Sequence, residues 1–473
     1  LIIMIQTTLV GHACLYIQSE KTNILTDPVW FDYLWEEINV LCPSIVLEKD
    51  KIPPLDVLNI SHRHQDHFDV RTLAYLKKNE RIITPDTIVL APKDDLLLSI
   101  LDELEFKNVR VVADFEVIKV KDVTLTPTPS RNQISTAEDE FPEHGLLVND
   151  GEVTIWNQVD SQVNPDIIQR IMELYGHIDF FHSRFVPLIE GHFSYNKHLA
   201  LPFDEYCTYL NVVRALGPRM VVPGSAAFRF RDELNFLNQY SFPTTQEQFL
   251  RDLKAFCPEV PNAPYFPGDV AHISKDEVNI KKQDSDFVRV LEDDSHKLFF
   301  KPGYEVPAIK TQTTDPVQYE KEMQVVKDFI ENGFMERILK SELLSGWQHW
   351  QIVYQLEVFG REGSQIWVID FAKPGKPELH KGDIGKINIY EGISSSELCA
   401  LIEGNTSWDY VTLCGNYRTF NNMYRITEGG FELPPKDKSN YALEPLMDIF
   451  PWDKDMDKRK FMRDVQRWKG KSF

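Results

Sequence analysis

Four potential metal ligands lie within a six-residue stretch of one predicted loop, His62-Arg63-His64-Gln65-Asp66-His67. An apolar segment typical of a buried strand, 57–60, precedes this run, and a helical pattern over 69–78 follows it. Imidazoles two residues apart can reach one cavity from the end of a strand, and a divalent cation is the simplest way to keep so many desolvated donors together. We therefore predict a metal centre built on His62, His64, Asp66 and His67.

Strand-like and helix-like segments are mixed through the first half of the chain. Short apolar or β-branched segments between turn residues predict strands at 7–10, 14–18, 23–25, 57–60, 87–91, 109–112, 123–126, 145–148 and 153–156. Helical spacing of apolar residues predicts helices at 69–78, 93–103, 165–174 and 203–216. This mixture favours an α+β fold, with sheets covered by helices, over an all-β sandwich.

The second half of the chain has a different character. A charged stretch at 284–294 is followed by a new pattern, which predicts a helix at 316–342 and strands at 351–359, 365–371 and 386–390. A chain of 473 residues is long enough for more than one core. We predict a catalytic domain over 1–283 and a smaller α/β domain over 290–473, acting as a lid, a substrate-binding module or a homodimer contact.

The charge balance narrows the range of partners. There are 51 Lys and Arg against 72 Asp and Glu, a net charge of −21, which repels nucleic acid and anionic membranes. No apolar run approaches the roughly 20 residues of a membrane span, so we expect a cytoplasmic protein with a small-molecule substrate. The six cysteines lack zinc or iron–sulfur spacing and are expected to be reduced thiols. One basic stretch, Lys458-Arg459-Lys460 with Arg463, Arg467 and Lys469, is either a solvated helix face or a docking surface.

The spacing His62-x-His64-x-Asp66-His67 resembles the signature of the metallo-β-lactamase superfamily. Thr26-Asp27-Pro28 is similar to the early Asp of that family, which implies that Asp27 supports the metal loop from behind the ligands. Ile155-Trp156-Asn157-Gln158-Val159-Asp160 is similar to the later strand that ends in a metal-bridging Asp. The resemblance covers about residues 5–275 and implies an αββα sandwich for the first domain.

Two family histidines are missing from their usual places. The segment Thr126-Pro127-Thr128-Pro129-Ser130-Arg131 lacks one, and Gly224 and Ser225 stand where the last would follow a strand. The nearest replacements, among which the residue pattern does not decide, are Glu143, His144, His182, His192 and His198. The resemblance implies one metal on His62, His64 and Glu143, a second on Asp66, His67 and His182, and Asp160 between them. It also implies catalytic roles for Asp66, Asp160 and Glu143.

A glutamate among the ligands favours iron, because oxygen donors stabilise its higher oxidation states. The pattern resembles that of metallo-β-lactamase-fold diiron oxygenases and, over about 20–260, the non-Rieske part of CMP-N-acetylneuraminate hydroxylases. This implies two iron ions and dioxygen-dependent hydroxylation or oxidation of a small molecule. The ligand motifs of a Rieske cluster are absent from the sequence, so a ferredoxin or reductase would supply the electrons.

Two alternatives remain open at this point. Zinc or manganese in the same site would make a hydrolase of an ester, lactone, amide or phosphodiester, because the metal lowers the pKa of bound water. The metal could instead have a purely structural role and stabilise the fold of a noncatalytic carrier or scaffold. For substrate contacts we single out Trp30, Arg184 and His192.

Overall fold

The computed structural model describes most of the chain. The described residues are 4–130, 141–187, 189–197, 199–225, 228–298, 305–373, 375–433, 445–449, 454–471 and 473. They pack into two compact units. The first takes the described residues of Leu1–Leu188, Ala200–Phe300 and Phe461–Phe473, and the second those of Ile189–Leu199 and Lys301–Lys460. The predicted domains, 1–283 and 290–473, stay a prediction.

Strands dominate the first unit. They are β1 (Ile5–Gly11), β2 (Cys14–Gln18), β3 (Asn23–Thr26), β4 (Tyr33–Leu34), β5 (Asn39–Leu41), β6 (Ser44–Leu47), β7 (Leu55–Asn59), β8 (Ile83–Ala91), β9 (Val109–Val111), β10 (Ile118–Val120), β11 (Val123–Pro129), β12 (His144–Asn149), β13 (Thr154–Asn157), β14 (Phe180–Arg184), β15 (Val221–Gly224), β16 (Phe228–Phe230), β17 (Val270–Ile273), β18 (Val278–Lys281) and β19 (Val288–Glu292). An eight-stranded sheet has the order β18-β17-β1-β2-β3-β7-β8-β9, and a six-stranded sheet has the order β10-β11-β12-β13-β14-β15.

Helices complete the first unit: α1 (Val70–Lys78), α2 (Asp95–Glu103), α3 (Pro165–Tyr175), α4 (Phe203–Leu216), α5 (Asn235–Ser241) and α6 (Gln246–Phe256). Local sequence explains where they begin. Asp69 caps α1 by accepting hydrogen bonds from the amides of Arg71 and Thr72, and Pro165 opens α3 behind its Asn164 cap.

Two apolar clusters hold these layers together. One contains residues of both large sheets, among them Leu15 and Val57 of the first and Leu125 and Ile155 of the second, so the sheets face each other. The other joins the first sheet to α1 and α2. This α+β sandwich agrees with the fold class predicted from the sequence.

The second unit is built on a five-stranded sheet. Its strands are β20 (Val353–Phe359), β21 (Ser364–Asp370), β22 (Leu379–Lys381), β23 (Ile389–Ser394) and β24 (Tyr417–Asn421), in the order β22-β21-β20-β23-β24, with a separate hairpin of β25 (Arg425–Thr427) and β26 (Gly430–Glu432). Its helices are α7 (Pro316–Asp328), α8 (Met335–Lys340), α9 (Leu344–His349), α10 (Ser395–Ile402), α11 (Trp408–Leu413) and α12 (Pro445–Ile449). The last helix, α13 (Lys454–Lys469), belongs to this unit up to Lys460 and to the first unit from Phe461.

Most of the predicted elements are confirmed with small shifts of their ends, whereas the strand predicted at 386–390 overlaps β23 only at its last two residues. The predicted helix 316–342 is interrupted by a π-helical segment, Phe329–Phe334, between α7 and α8. Such a segment adds one residue to the turn and commonly lies inside a longer helix. Within the described part of the chain, no helix has the length and apolar character required to cross a bilayer.

Candidate metal centre

The candidate metal centre lies where several strands of the first unit end. The loop 60–69 follows β7, Asp27 follows β3, and Asp160 comes three residues after β13. Strands β3 and β7 are parallel, as are β13 and β14, so their carboxyl ends share an edge of their sheets. The turn between β1 and β2 brings His12 to the same place.

One group of donors consists of His62, His64 and Asp160. Nε2 of His62 lies 2.9 Å from Nδ1 of His64 and 3.9 Å from Oδ2 of Asp160. The His62 side chain is fully buried, and its Nδ1 lies 2.9 Å from the hydroxyl of Ser61. That contact turns Nε2 toward the other donors.

A second group consists of His12, Asp66 and His67. Nε2 of His12 lies 3.0 Å from Oδ2 of Asp66 and 3.2 Å from Nε2 of His67. All three residues are buried. His12 occupies a left-handed conformation, with φ of 49°, at the tight turn that joins the two strands.

Asp160 lies between the two groups. Its Oδ2 is 3.2 Å from Nε2 of His67 in one group and 3.9 Å from Nε2 of His62 in the other. Donors around one tetrahedral zinc ion stand roughly 3.3 Å apart, because each nitrogen lies about 2.0–2.1 Å from the metal. Buried Oδ1 atoms of Asp66 and Asp160 have no hydrogen-bond partner among the described residues. Both the donor geometry and these carboxylate atoms fit a pair of cations.

Asp27 fixes the orientation of the loop from behind. Its Oδ1 accepts a hydrogen bond from the amide of Ser61, its Oδ2 accepts one from the Ser61 hydroxyl, both at 2.7 Å, and Oδ2 lies 3.1 Å from Nδ1 of His67. An imidazole that donates Nδ1–H to a carboxylate presents the lone pair of Nε2 to a metal. This is the arrangement expected from the sequence for Asp27, although its role stays a prediction.

Electrostatics keeps His62, His64, Asp66 and Asp160 in the protonation states that bind a cation. Burial lowers the pKa of His62 well below its ordinary value and that of His64 to about 4, so both are neutral near pH 7. Burial would raise the pKa of Asp66 and Asp160, but the neighbouring imidazoles, His67 foremost, outweigh it and hold both below the ordinary range. Neutral imidazoles and ionised carboxylates are the forms that bind metals.

Glu143 lies beside the first donor group. Burial raises the pKa of its carboxyl; a hydrogen bond from Ser130 lowers it, the charge of Asp160 raises it, and the charge of Arg184 lowers it. The Glu143 carboxyl therefore lies close enough to Asp160 and Arg184 to be affected by their charges. Its carboxyl is not part of either compact donor group.

His144 and His182 make different contacts. Nε2 of His144 lies 3.0 Å from Oδ1 of Asn59, and Nδ1 of His182 lies 2.9 Å from Oδ1 of Asn157. Burial lowers the pKa of His144 to about 4 and that of His182 to about 3. Nδ1 of His144 and Nε2 of His182 are buried without a partner in the described part of the chain, so each ring still has a donor atom to offer. Their ligand roles remain predictions.

Gly224 explains how His182 is accommodated where the sequence lacks the family's last histidine. A Cβ atom at position 224 would lie 2.7 Å from Nε2 of His182. The imidazole therefore fills the space that a side chain on the neighbouring strand β15 would occupy.

The predicted substrate residues fall in separate places. Trp30 is 4% exposed and lies in the core, with its ring against Tyr75 of α1. The Arg184 guanidinium donates a 2.5 Å hydrogen bond to the carbonyl of Asp160. His192 lies in the second unit, and His198 lies outside the described residues. Trp35, rather than Trp30, stacks on His64, with ring centroids 5.8 Å apart.

His12 is a donor that no motif in the sequence predicts. Its local sequence, Gly11-His12-Ala13, contains a single histidine between two apolar strands and has no metal-ligand spacing. The position could have been found only by recognising that a tight β1–β2 turn next to β3 ends at the same edge as the metal loop.

Two sheets covered by helices, with donor side chains at the strand ends, define the metallo-β-lactamase fold, which is shared by metal-dependent enzymes. A family model described as a β-lactamase superfamily domain matches residues 6–224. This part of the chain is therefore similar to β-lactamase superfamily domains.

Curated relatives match only part of the chain. A protein of Mycolicibacterium smegmatis named as a Rieske 2Fe-2S iron–sulfur protein is 30% identical over 171 residues, 34% of this chain and 31% of that protein. The 4-amino-L-phenylalanyl-[CmlP-peptidyl-carrier-protein] 3-hydroxylase of Streptomyces venezuelae is 26% identical over 174 residues, 36% of this chain and 32% of that protein. The chain thus spans about a third of the length of these relatives.

Among solved structures, CmlA, a diiron β-hydroxylase from Streptomyces venezuelae, superimposes with a TM-score of 0.39 at 20% identity. The superposition covers 57% of this chain and 54% of that one.

Proposed function

We propose that this protein is a dinuclear metal-dependent oxygenase that hydroxylates or oxidises a small molecule. The observation that carries the proposal is the position of Asp160 between the two donor groups, with the Glu143 carboxyl close enough to be affected by the charge of Asp160. Three carboxylates, Asp66, Asp160 and Glu143, would then share the cations with the imidazoles. Oxygen-rich ligand sets suit iron, which supplies the reaction with dioxygen when it is bound.

Two of the curated relatives support this choice. One is named as a hydroxylase and another as a Rieske iron–sulfur protein. Electron delivery would come from a separate ferredoxin or reductase. The chain's own residues would hold the cations, exclude water and orient the substrate.

Arg184 is our candidate for binding an acidic group of the substrate. Its guanidinium is held by the carbonyl of Asp160 and lies 3.6 Å from the carboxylate of Glu205. Its Nε is buried and has no acceptor among the described residues. A carboxylate or phosphate on the substrate could accept from this atom.

The test is metal content followed by turnover. Protein expressed with equal iron, manganese and zinc should contain about two iron ions per chain and show near-ultraviolet absorption that dithionite bleaches. Oxygen uptake with a ferredoxin–reductase couple should depend on that iron. Stoichiometric zinc, with no oxygen uptake by iron-reconstituted protein, would overturn the proposal.

A hydrolase is the second candidate, favoured by one specific observation. The two compact donor groups contain four imidazoles and two aspartates, a nitrogen-rich set that also suits zinc. A zinc or manganese enzyme would cleave an ester, lactone, amide or phosphodiester with metal-activated water. Turnover of nitrophenyl esters or bis-nitrophenyl phosphate that requires His64 would support it.

A further inference from the structure

A positively charged cavity lies on the first unit, on a chain whose net charge is −21. It encloses 740 Å³ where the end of α1, the start of β8, the segment between α2 and β9, and the end of α13 come together. Its lining includes four lysines, Lys77, Lys78, Lys107 and Lys469. We call it the lysine groove.

Apolar side chains form the floor of the lysine groove. Leu104 and Phe106 line it and are otherwise buried, as are Ala74 and Val89. The ammonium of Lys77 lies over the ring of Phe106, 5.7 Å from its centroid. A cavity of this size with an apolar floor and a few polar groups has the dimensions of a small-molecule site.

The lysines carry more charge than the groove neutralises. Lys469 forms an ion pair of 2.9 Å with Glu105, whereas among the described residues no carboxylate is ion-paired with Lys77 or Lys107. Lys78 donates to the main-chain carbonyls of Trp468 and Lys471 and so fastens the end of the chain. Only one further carboxylate, Glu80, lines the groove.

The lysines of the groove stabilise the ionised form of the Glu105 carboxyl. The hydrogen bond from Lys469 and the charges of Lys469, Lys107 and Lys77 together lower the pKa of its carboxyl. The carboxylate of Glu105 is thus ion-paired with Lys469 and is also affected by the charges of Lys107 and Lys77. Lysine ammonium groups are compact point charges that commonly bind phosphate, and a dianionic phosphate would balance the surplus better than a second carboxylate.

We propose that the lysine groove binds a phosphate-bearing small molecule, with the phosphate between Lys77, Lys107 and Lys469 and an apolar portion against Leu104 and Phe106. This site is separate from the metal centre, and the proposal does not depend on whether the enzyme is an oxygenase or a hydrolase.

Hexyl phosphate is the probe, and isothermal titration calorimetry of the full-length, metal-loaded protein is the measurement. We expect one site per chain and weaker binding of inorganic phosphate, which lacks the apolar portion. The double variant Lys77→Gln/Lys107→Gln should weaken hexyl phosphate binding at least about tenfold, because it removes two of the three charges that face the phosphate. The matched control Lys275→Gln removes an exposed lysine outside the groove and should leave binding unchanged.

Three results would overturn the proposal. Equal affinities of the double variant and the wild type for hexyl phosphate would show that Lys77 and Lys107 do not bind the phosphate. Loss of hexyl phosphate binding in His64→Ala would place the phosphate at the metal centre instead. Binding to phosphatidic acid vesicles, without binding of hexyl phosphate, would identify a membrane surface. The single variant Lys107→Gln, at an exposed residue, repeats the test if the double variant does not fold.

Discussion

Nε2 of His12 lies 3.0 Å from Oδ2 of Asp66, so the turn between the first two strands completes a donor group that the metal-loop motif begins. His67 joins them through a 3.2 Å contact between its Nε2 and that of His12. The second group is therefore assembled from two loops that are distant in sequence, and the role of His12 can be tested directly.

Replacing His12 by Ala should remove one ligand of the second cation. We expect about one tightly held metal ion per chain in place of about two, because Asp66 and His67 alone leave that site short of donors. Inductively coupled plasma mass spectrometry after dialysis measures the content. His177→Ala, which removes a histidine that is 58% exposed, is the control. Two metal ions retained in His12→Ala would show that His12 is not a ligand.

Asp27→Asn should weaken metal binding without removing a ligand. The new side-chain amide is a neutral acceptor and no longer offers a carboxylate to the Nδ1–H of His67. Losing such a contact to a metal-binding imidazole typically costs about 10- to 100-fold in metal affinity. Competition with a chromophoric chelator gives the affinity. The variant Asp122→Asn changes an aspartate that bonds to Ser19 and Thr22, away from the donor groups, and should bind metal normally. Unchanged affinity in Asp27→Asn would contradict the proposed support.

Removing the metal should lower the stability of the first unit. Six donor side chains converge in two compact groups, and their carboxylates lose the cation that balances them. A cation at a hundredfold excess over its Kd stabilises a protein by about 2.7 kcal/mol. Calorimetry with and without a chelator should show a lower Tm for the metal-free protein. Coincident melting curves would argue against a metal that binds the folded state.

Gly224→Ala should destabilise the fold because of His182. The new Cβ atom would lie 2.7 Å from the imidazole, and overpacking of this kind costs about 1–3 kcal/mol. Urea denaturation measures the change in the free energy of unfolding. Gly346→Ala is the control, since no atom lies within 4 Å of the position of its Cβ and alanine favours the helix. Equal stability of Gly224→Ala and wild type would mean that the ring can move aside freely.

Tyr417→Phe should destabilise the second unit. The Tyr417 hydroxyl donates a 2.6 Å hydrogen bond to the buried Glu391 carboxylate, which also accepts from the amide of Leu446. Losing a donor to a buried charged group costs about 1–3 kcal/mol. Thermal unfolding should reveal the change, and Tyr424→Phe, at a half-exposed tyrosine, should not reproduce it.

The sequence predicted those parts of the fold that depend on local pattern. The apolar segment before His62 forms β7, and the helix expected after His67 begins at Val70. These elements depend on side-chain periodicity and on a helix cap. Both signals are local, because each involves residues only a few positions apart in the sequence. The short strands β5 and β6 were not predicted, because their pairing with distant strands, rather than their own composition, defines them. The two-residue strand β4, which pairs with β5, was not predicted either.

The donor set shows the same division. The four candidate donors of one loop were predictable because they share a turn, whereas the position of His12 depends on which strands become neighbours. The contacts of His144 and His182 depend on Asn59, which lies on β7 of the other large sheet, and on Asn157, which lies on the neighbouring strand β13. No spacing in the sequence records those pairings.

The dispersed origin of the donors has a consequence for how the chain acquires its cations. Residues 12, 62–67 and 160 reach one another only after three strand ends of two different sheets have come into register. A nascent or partly unfolded chain holds the loop histidines but not the complete coordination sphere. The cation should therefore bind late in folding. When the unfolded chain refolds with cobalt, the visible absorption of the cobalt centre should appear after the far-ultraviolet circular dichroism has recovered.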